Sequence, residues 1–357
     1  MRTLSIALLT GLAAVTLAPQ AGLAKGKPAV VYKAPRILGD KPDLGGTWTN
    51  ATLTPFDRPP AMGDRKTMSE AEVKQIEGQR AEVIRQSNAP TVGVFDLNSP
   101  CYAANITAGG GTSDCGYNAF WTDHGDTVMR VDGEPRTSMI TFPANGRPPA
   151  RLPRPAGAVA GPTPVRGVYG RAGDNPENQT LAERCITSFA NHAGPVMLPS
   201  FYNSNYEIVQ GKDSVAILVE MIHDVRIVRL NAEHAPIRTW YGDSIGHYEG
   251  DTLVVETINY NQNQDFRGSS ANLKVTERFT RVGPQRLLYQ FKVEDPTVWA
   301  TPWGGEYEFG PAKGPVFEYA CHEGNYALEG ILAGARAAEA DAAAKAASAG
   351  PAPAKRP

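Results

Sequence analysis

The chain has 357 residues, with 41% hydrophobic, 8% aromatic and 20% charged side chains, enough apolar material for a folded core and too much for wholesale disorder. Lys and Arg number 35 against 37 Asp and Glu, a net charge of -2 with no long basic run, so the electrostatic footprint of a nucleic-acid binder is missing. The 36 glycines and 29 prolines favour many turns and short strands over long helices.

Residues 1–24 read as a cleavable signal peptide. Arg2 gives the positive start, Leu4 to Leu17 the apolar stretch, and Ala21-Gly22-Leu23-Ala24 the small-residue cleavage site. The apolar run is shorter than the roughly 20 residues a spanning helix needs, and no cysteine precedes Cys101 to accept a lipid anchor. The expectation is a periplasmic or secreted protein with no membrane span. Residues 25–43 form a Lys/Pro-rich linker, and 44–332 one β-rich domain. Its first strand is Gly45-Gly46-Thr47-Trp48-Thr49. Ser69 to Ser87 is a helix, with Ser69 and Glu72 as a capping box and Val73, Ile76, Val83 and Ile84 as a narrow apolar stripe. Residues 146–176 hold Pro148-Pro149, Pro153, Pro155, Pro162 and Pro164 among Gly, Ala and Arg and read as a surface excursion, partly polyproline II.

From Tyr206 the pattern turns to strands. Val215–Val219, Val225–Leu230 and Thr252–Val255 are β-branched and short, while Leu273–Val282 and Leu287–Val293 alternate apolar with polar. Turn chemistry separates them at Glu249-Gly250-Asp251, Gly283-Pro284, Asp295-Pro296 and Gly304-Gly305. The tail, 333–357, is Ala/Pro-rich. It continues a short helix and is disordered from Ser348.

Four cysteines in an exported chain favour disulfides. Cys101 and Cys115 bracket the Gly109-Gly110-Gly111 loop, which leaves Cys185 and Cys321 as partners. No CxxC or HxxxH spacing supports a metal site, and neither metal nor cofactor is expected. GxSxG, GxxxxGK[ST], HExxH and GxGxxG after a strand are also missing.

Taken as a set, several motifs resemble a family of exported bacterial proteins, most of them uncharacterised. They are Pro42-Asp-Leu-Gly-Gly-Thr-Trp48, Asn118-Ala-Phe-Trp121, Arg136-Thr-Ser138, Glu183-Arg-Cys-Ile186, Glu220-Met-Ile-His-Asp224, Gly242-Asp-Ser244, Tyr248–Glu256, Glu277-Arg-Phe279 and Glu318–Tyr326. Where that family carries Arg-Trp in a Gly-Arg-Trp-Glu-Gly turn, this chain has His247-Tyr248, which keeps an aromatic and loses the arginine. The resemblance implies export and a β fold and supplies no activity. A second likeness, carried by Gly46-Thr47-Trp48, is to lipocalin-type barrels and implies a cup-shaped sheet with an internal cavity.

Strand parity singles out the candidate site residues. Glu277 shares the apolar face of its strand with Leu273, Val275 and Phe279, and a carboxylate there must be paired, hydrogen-bonded or protonated. It reads equally as a functional acid or as half of a structural salt bridge. Asp295 continues the face of Leu287, Tyr289, Phe291 and Val293, although Asp-Pro is also a turn start. His223 falls on the face of Val215 to Ile227 if that strand runs unbroken, the alternative being a His223-Asp224 turn. Trp299 and Trp303 either roof a cavity or plug it. Arg226 or Arg267 can hold an anionic group of a ligand.

The fold class expected is mainly β: an antiparallel barrel-like sheet of lipocalin or calycin type, with one or two peripheral helices and long loops. Three functions fit, in this order. The first is binding of a small, partly apolar organic molecule in an internal cavity. The second is cofactor-independent acid/base catalysis (a lyase, isomerase or hydrolase) by Glu277 and His223. The third is an envelope interaction protein without a small ligand. Whether the protein is an enzyme, and its oligomeric state, stay open at this point.

Overall fold

The structure is a computed structural model that describes residues 32–88, 122–153, 173–188, 194, 196–264, 266–269 and 271–348. The residues 1–24 read as a signal peptide, the expected Cys101–Cys115 loop, most of the Pro-rich excursion and the end of the tail lie outside the described residues. Within the linker, β1 (Arg36–Ile37) and β2 (Lys41–Pro42) pair as a small hairpin.

A closed nine-stranded β-barrel holds the core. Around the barrel run β3 (Gly46–Thr49), β7 (Asn205–Gln210), β8 (Ser214–Val219), β9 (Asp224–Leu230), β10 (Asp243–Glu249), β11 (Thr252–Ile258), β12 (Lys274–Gly283), β13 (Arg286–Glu294) and β14 (Trp303–Pro311). β13 pairs with both β12 and β14, and the pairing of β14 with β3 through Gly310 and Thr49 completes the ring. The strands form because their apolar residues recur with period two. On β12, Val275, Glu277 and Phe279 are buried, and Lys274, Thr276 and Arg278 between them are partly exposed.

All pairings around the ring are antiparallel except β9 with β10. A parallel neighbour cannot follow by a tight turn, so residues 231–242 travel back along the barrel before β10 begins. That return is tied down. Asp243 accepts from Ala235 N at 2.9 Å and meets His234 Nδ1 at 2.8 Å, and Asn259 Nδ2 donates to Ala235 O at 2.8 Å.

Three shorter elements flank the barrel. β4 (Arg130–Val131) and β5 (Glu134–Pro135) form a hairpin, and β6 (Ile140–Phe142) joins β14 on the edge that the short β3 leaves open. Gly304 and Gly305 make that junction possible. A Cβ would sit 2.0 Å from Phe291 O at the first and 2.0 Å from Met139 O at the second. The two glycines therefore lie inside a strand and not in the turn the sequence suggested, because close approach of three backbones demands them there.

Trp48 of β3 is buried in the core. Its Nε1 donates to Leu44 O at 3.1 Å, and Arg281 reaches across from β12 to lie 5.4 Å over its ring. The interior that the sequence suggested as an aromatic-lined cavity is, across β12–β14, a stack of rings in contact. Tyr289 lies 5.0 Å from Tyr307, 5.1 Å from Phe279 and 5.5 Å from Phe309.

Helix α1 (Glu70–Ser87) carries the expected capping box: Glu72 N donates to Ser69 Oγ at 3.3 Å and Ser69 N to Glu72 Oε2 at 2.8 Å. Val73 packs with Met68 and Val128 in a small satellite core. Helix α2 (Ala327–Ser348) is longer than the tail composition suggested and buries no side chain. Among the described residues no helix is long and apolar enough to cross a membrane.

The Cys185–Cys321 disulfide ties the middle of the chain to the approach of α2, across 136 residues of sequence and a Cα separation of 5.8 Å. Replacing both cysteines by alanine is expected to lower stability by about 4 kcal/mol or somewhat more, the chain-entropy value for so long a loop, as read by denaturant unfolding. Truncation after Arg336 removes no buried side chain among the described residues, and the melting temperature is expected to stay unchanged in thermal unfolding.

Candidate functional site

Arg226, Ser244, Thr257, Glu277 and Tyr289 project inward from β9, β10, β11, β12 and β13 in turn. Arg226 is 5% exposed and Glu277 0%. Arg226 Nη1 donates to Glu277 Oε1 at 3.0 Å, and Nη2 donates to Glu277 Oε2. The same guanidinium donates through Nε to Ser244 Oγ at 3.1 Å and through Nη2 to Thr257 Oγ1 at 3.0 Å. Tyr289 OH donates to Glu277 Oε1 at 2.8 Å and itself accepts from Met197 N at 3.2 Å.

Burial works against the Arg226 charge, and the Glu277 carboxylate more than offsets it, so the guanidinium is held above its usual range. Burial and that same carboxylate push the Tyr289 phenol well above its ordinary value and keep it a donor. The arrangement is a bidentate ion pair with its hydrogen bonds filled from the protein. Of the two readings of Glu277, the geometry supports the structural one. Arg226 is engaged by Glu277 and is not a free anchor for an anion.

His223 is placed elsewhere. The strand breaks after Val219 into a turn in which Ile222 and His223 take φ of +62° and +57°, so the even spacing that would put the imidazole inside is lost. His223 is exposed and does not face Glu277. The proposed acid/base pair is therefore not assembled.

The other candidates also have structural partners. Arg267 Nη1 donates to Asp57 Oδ2 at 3.0 Å and lies 4.7 Å over the Phe56 ring. Asp295 accepts from Ser269 Oγ at 2.5 Å, Thr297 N at 2.9 Å and Thr297 Oγ1 at 2.6 Å, the turn start that Asp-Pro announces. Trp299 and Trp303 meet edge to face at 5.4 Å, and Phe266 stacks on Trp303 at 6.0 Å. Both indoles are buried in ring contact, which fits the plugging reading.

An open cleft of about 1290 Å³ lies outside the barrel. Glu77, Arg80 and Ile84 line it from α1, Asp123 to Arg130 from the segment before and into β4, Phe309 from β14, and Lys313 and Phe317 beyond it. Its cations are unequal. Arg130 donates to both Glu70 oxygens at 2.8 and 2.6 Å, Arg286 to both Glu308 oxygens at 2.6 Å, and Lys313 to Asp126 at 2.9 Å. Arg80 has no ion pair or hydrogen bond among the described residues, and its Nε is buried without an acceptor. Asp123 accepts from Ser204 N at 3.0 Å. Burial pushes its carboxyl above the usual range, against that N–H and with the help of the Glu220 carboxylate.

Sequence reasoning passed over Arg80, yet the signal was present. Arg80 stands four residues from both Ile76 and Ile84, on the stripe of a helix read as apolar. A cation interrupting a helical stripe is the same kind of anomaly as Glu277 on an apolar strand face.

Among the described residues, the fold and its polar groups define a closed β-barrel protein with an inward ion-pair network and an outward cleft beside α1. No protein-family model matches the chain, and a search of the curated proteins finds no significant match.

Because the inward pair is buried and satisfied, Glu277→Gln is expected to leave Arg226 uncompensated and cost roughly 3 kcal/mol or more in denaturant unfolding. The double change Arg226→Met with Glu277→Leu is expected to recover most of that loss.

Proposed function

We propose that this is an exported binding protein for a small, partly apolar organic anion, held in the cleft beside α1. The observation that carries the reading is Arg80, the one cation of that cleft without a partner among the described residues. A guanidinium in a concave site beside apolar surface from Ile84 and Phe317 suits a carboxylate or sulfonate attached to a hydrophobic body. Export rests on the sequence of residues 1–24 and on the resemblance to a family of exported proteins. The binding site favoured by the geometry lies outside the barrel, since rings and an ion pair occupy the interior positions where a lipocalin-type ligand would sit.

The amphipathic anion 8-anilino-1-naphthalenesulfonate tests this directly by fluorescence titration. Arg80→Gln is expected to weaken its binding at least about tenfold, the loss of one charge-assisted contact, with an unchanged melting temperature. Equal affinity in the variant would sink the assignment of the cleft.

Asp123 lines the same cleft, and its carboxyl takes up a proton at higher pH than an ordinary aspartate. A sulfonate stays ionised throughout, so lowering the pH removes a repulsive charge and leaves the attractive one. Binding is therefore expected to tighten as the pH falls from neutral through the raised range in which Asp123 takes up its proton. Asp123→Asn is expected to flatten that pH profile.

A further inference from the structure

The outer faces of the barrel differ in composition. On β11–β13 the outward positions carry charges joined in pairs: Lys274 with Glu256 at 2.5 Å, Arg278 with Glu249 of β10 at 2.8 Å, and Lys292 with Glu294 at 2.9 Å. On β7–β9 the middle of the outward face is aliphatic, formed by Val209, Ala216, Leu218, Val225 and Ile227. Val209, Val225 and Ile227 are 54%, 53% and 50% exposed. Register makes these one surface, with Val209 beside Ala216 beside Ile227 in one row, and Glu207 beside Leu218 beside Val225 in the next. Single exposed aliphatics are ordinary, whereas a contiguous block on one sheet face marks a surface that is covered in use.

Charge at the corners of the block indicates what covers it. Glu207 stands at one corner and has no ion-pair partner among the described residues. Arg229, beside Ser214, stands at the diagonally opposite corner. Its Nη2 meets both Asp243 oxygens, at 2.9 and 3.0 Å, and the side chain is 39% exposed. An apolar block with an acid at one corner and a base at the opposite one is complementary to itself.

We infer that this face is the contact surface of a homodimer, in which β7–β9 of one protomer packs against the same strands of its partner. The two-fold axis lies in the plane of contact, passes through Ala216, and runs perpendicular to the Glu207–Arg229 diagonal. That axis sets Glu207 against the partner's Arg229, and Ala216 against the partner's Ala216. Standard interfaces bury about 800 Å² per partner. The aliphatic block falls short of that area, so the rim contributes and the dimer is a weak, concentration-dependent one.

Sedimentation velocity of the purified protein over a wide dilution series is expected to show a monomer–dimer shift. Ile227→Lys is expected to remain monomeric throughout with an unchanged melting temperature. Glu207→Lys, which breaks no contact within the protomer, is expected to raise the dissociation constant about tenfold. The exchange Glu207→Arg with Arg229→Glu is expected to restore association, and Ala216→Cys to give a covalent dimer on mild oxidation. A protein that sediments as a monomer at every concentration overturns the inference, as does a dimer that survives Ile227→Lys. A dimer in which Ala216→Cys fails to cross-link overturns the proposed axis.

Discussion

An arginine and a glutamate that close on each other inside the barrel set the terms for what surrounds them. Arg226 on β9 and Glu277 on β12 are separated by two strands, and each intervening strand contributes one inward hydroxyl, Ser244 and Thr257. A slip of one residue in any of these strands turns its polar group outward and leaves a buried charge short of a partner. The network thus specifies the register of four consecutive strands. Such specificity is distinct from net stability, because desolvating two ions offsets much of their mutual attraction.

Filling the interior with that network and with aromatic rings moves the chemistry outward. The barrel serves as a rigid scaffold, and a helix that buries little besides Val73 leans against it through a satellite core. Between helix and barrel lies a mixed polar and apolar cleft in which most charges are neutralised in pairs. In such a setting one unneutralised guanidinium is a selective feature. It fixes the sign of what is accepted, while the apolar walls fix its body.

Much of the fold was legible in the sequence because strand parity is a strong signal where one face is dry. β8, β12 and β13 alternate buried with partly exposed residues as their sequences do, and the capping box of α1 and the Cys185–Cys321 pairing match the expectation, whereas β9 runs in the opposite phase, with Val225 and Ile227 outside and Arg226 inside. The site was less legible. Parity showed that Glu277 faces inward, but its partner lies 51 residues away, on a strand read for its apolar content. His223 misled because a turn with two left-handed residues shifts the phase by an amount no alternation count reveals. Gly304-Gly305 misled for the opposite reason, since a glycine required by crowding and one required by a turn look alike in sequence.

The place of β3 in the ring has a consequence for how the chain is assembled. The first barrel strand in sequence lies between β7 and β14, so its two edges wait for partners that come much later in synthesis. The hairpins from β10 to β14 form from neighbours in sequence, but the seam between β3 and β14 joins residues more than 250 positions apart. Closing that seam demands a large loop entropy before any contact rewards it. A chain emerging from its amino end therefore carries an open sheet with an unpaired edge until nearly all of it has been made. During that interval the exposed strand edges are open to pairing with other chains, and protection by a chaperone has most effect then.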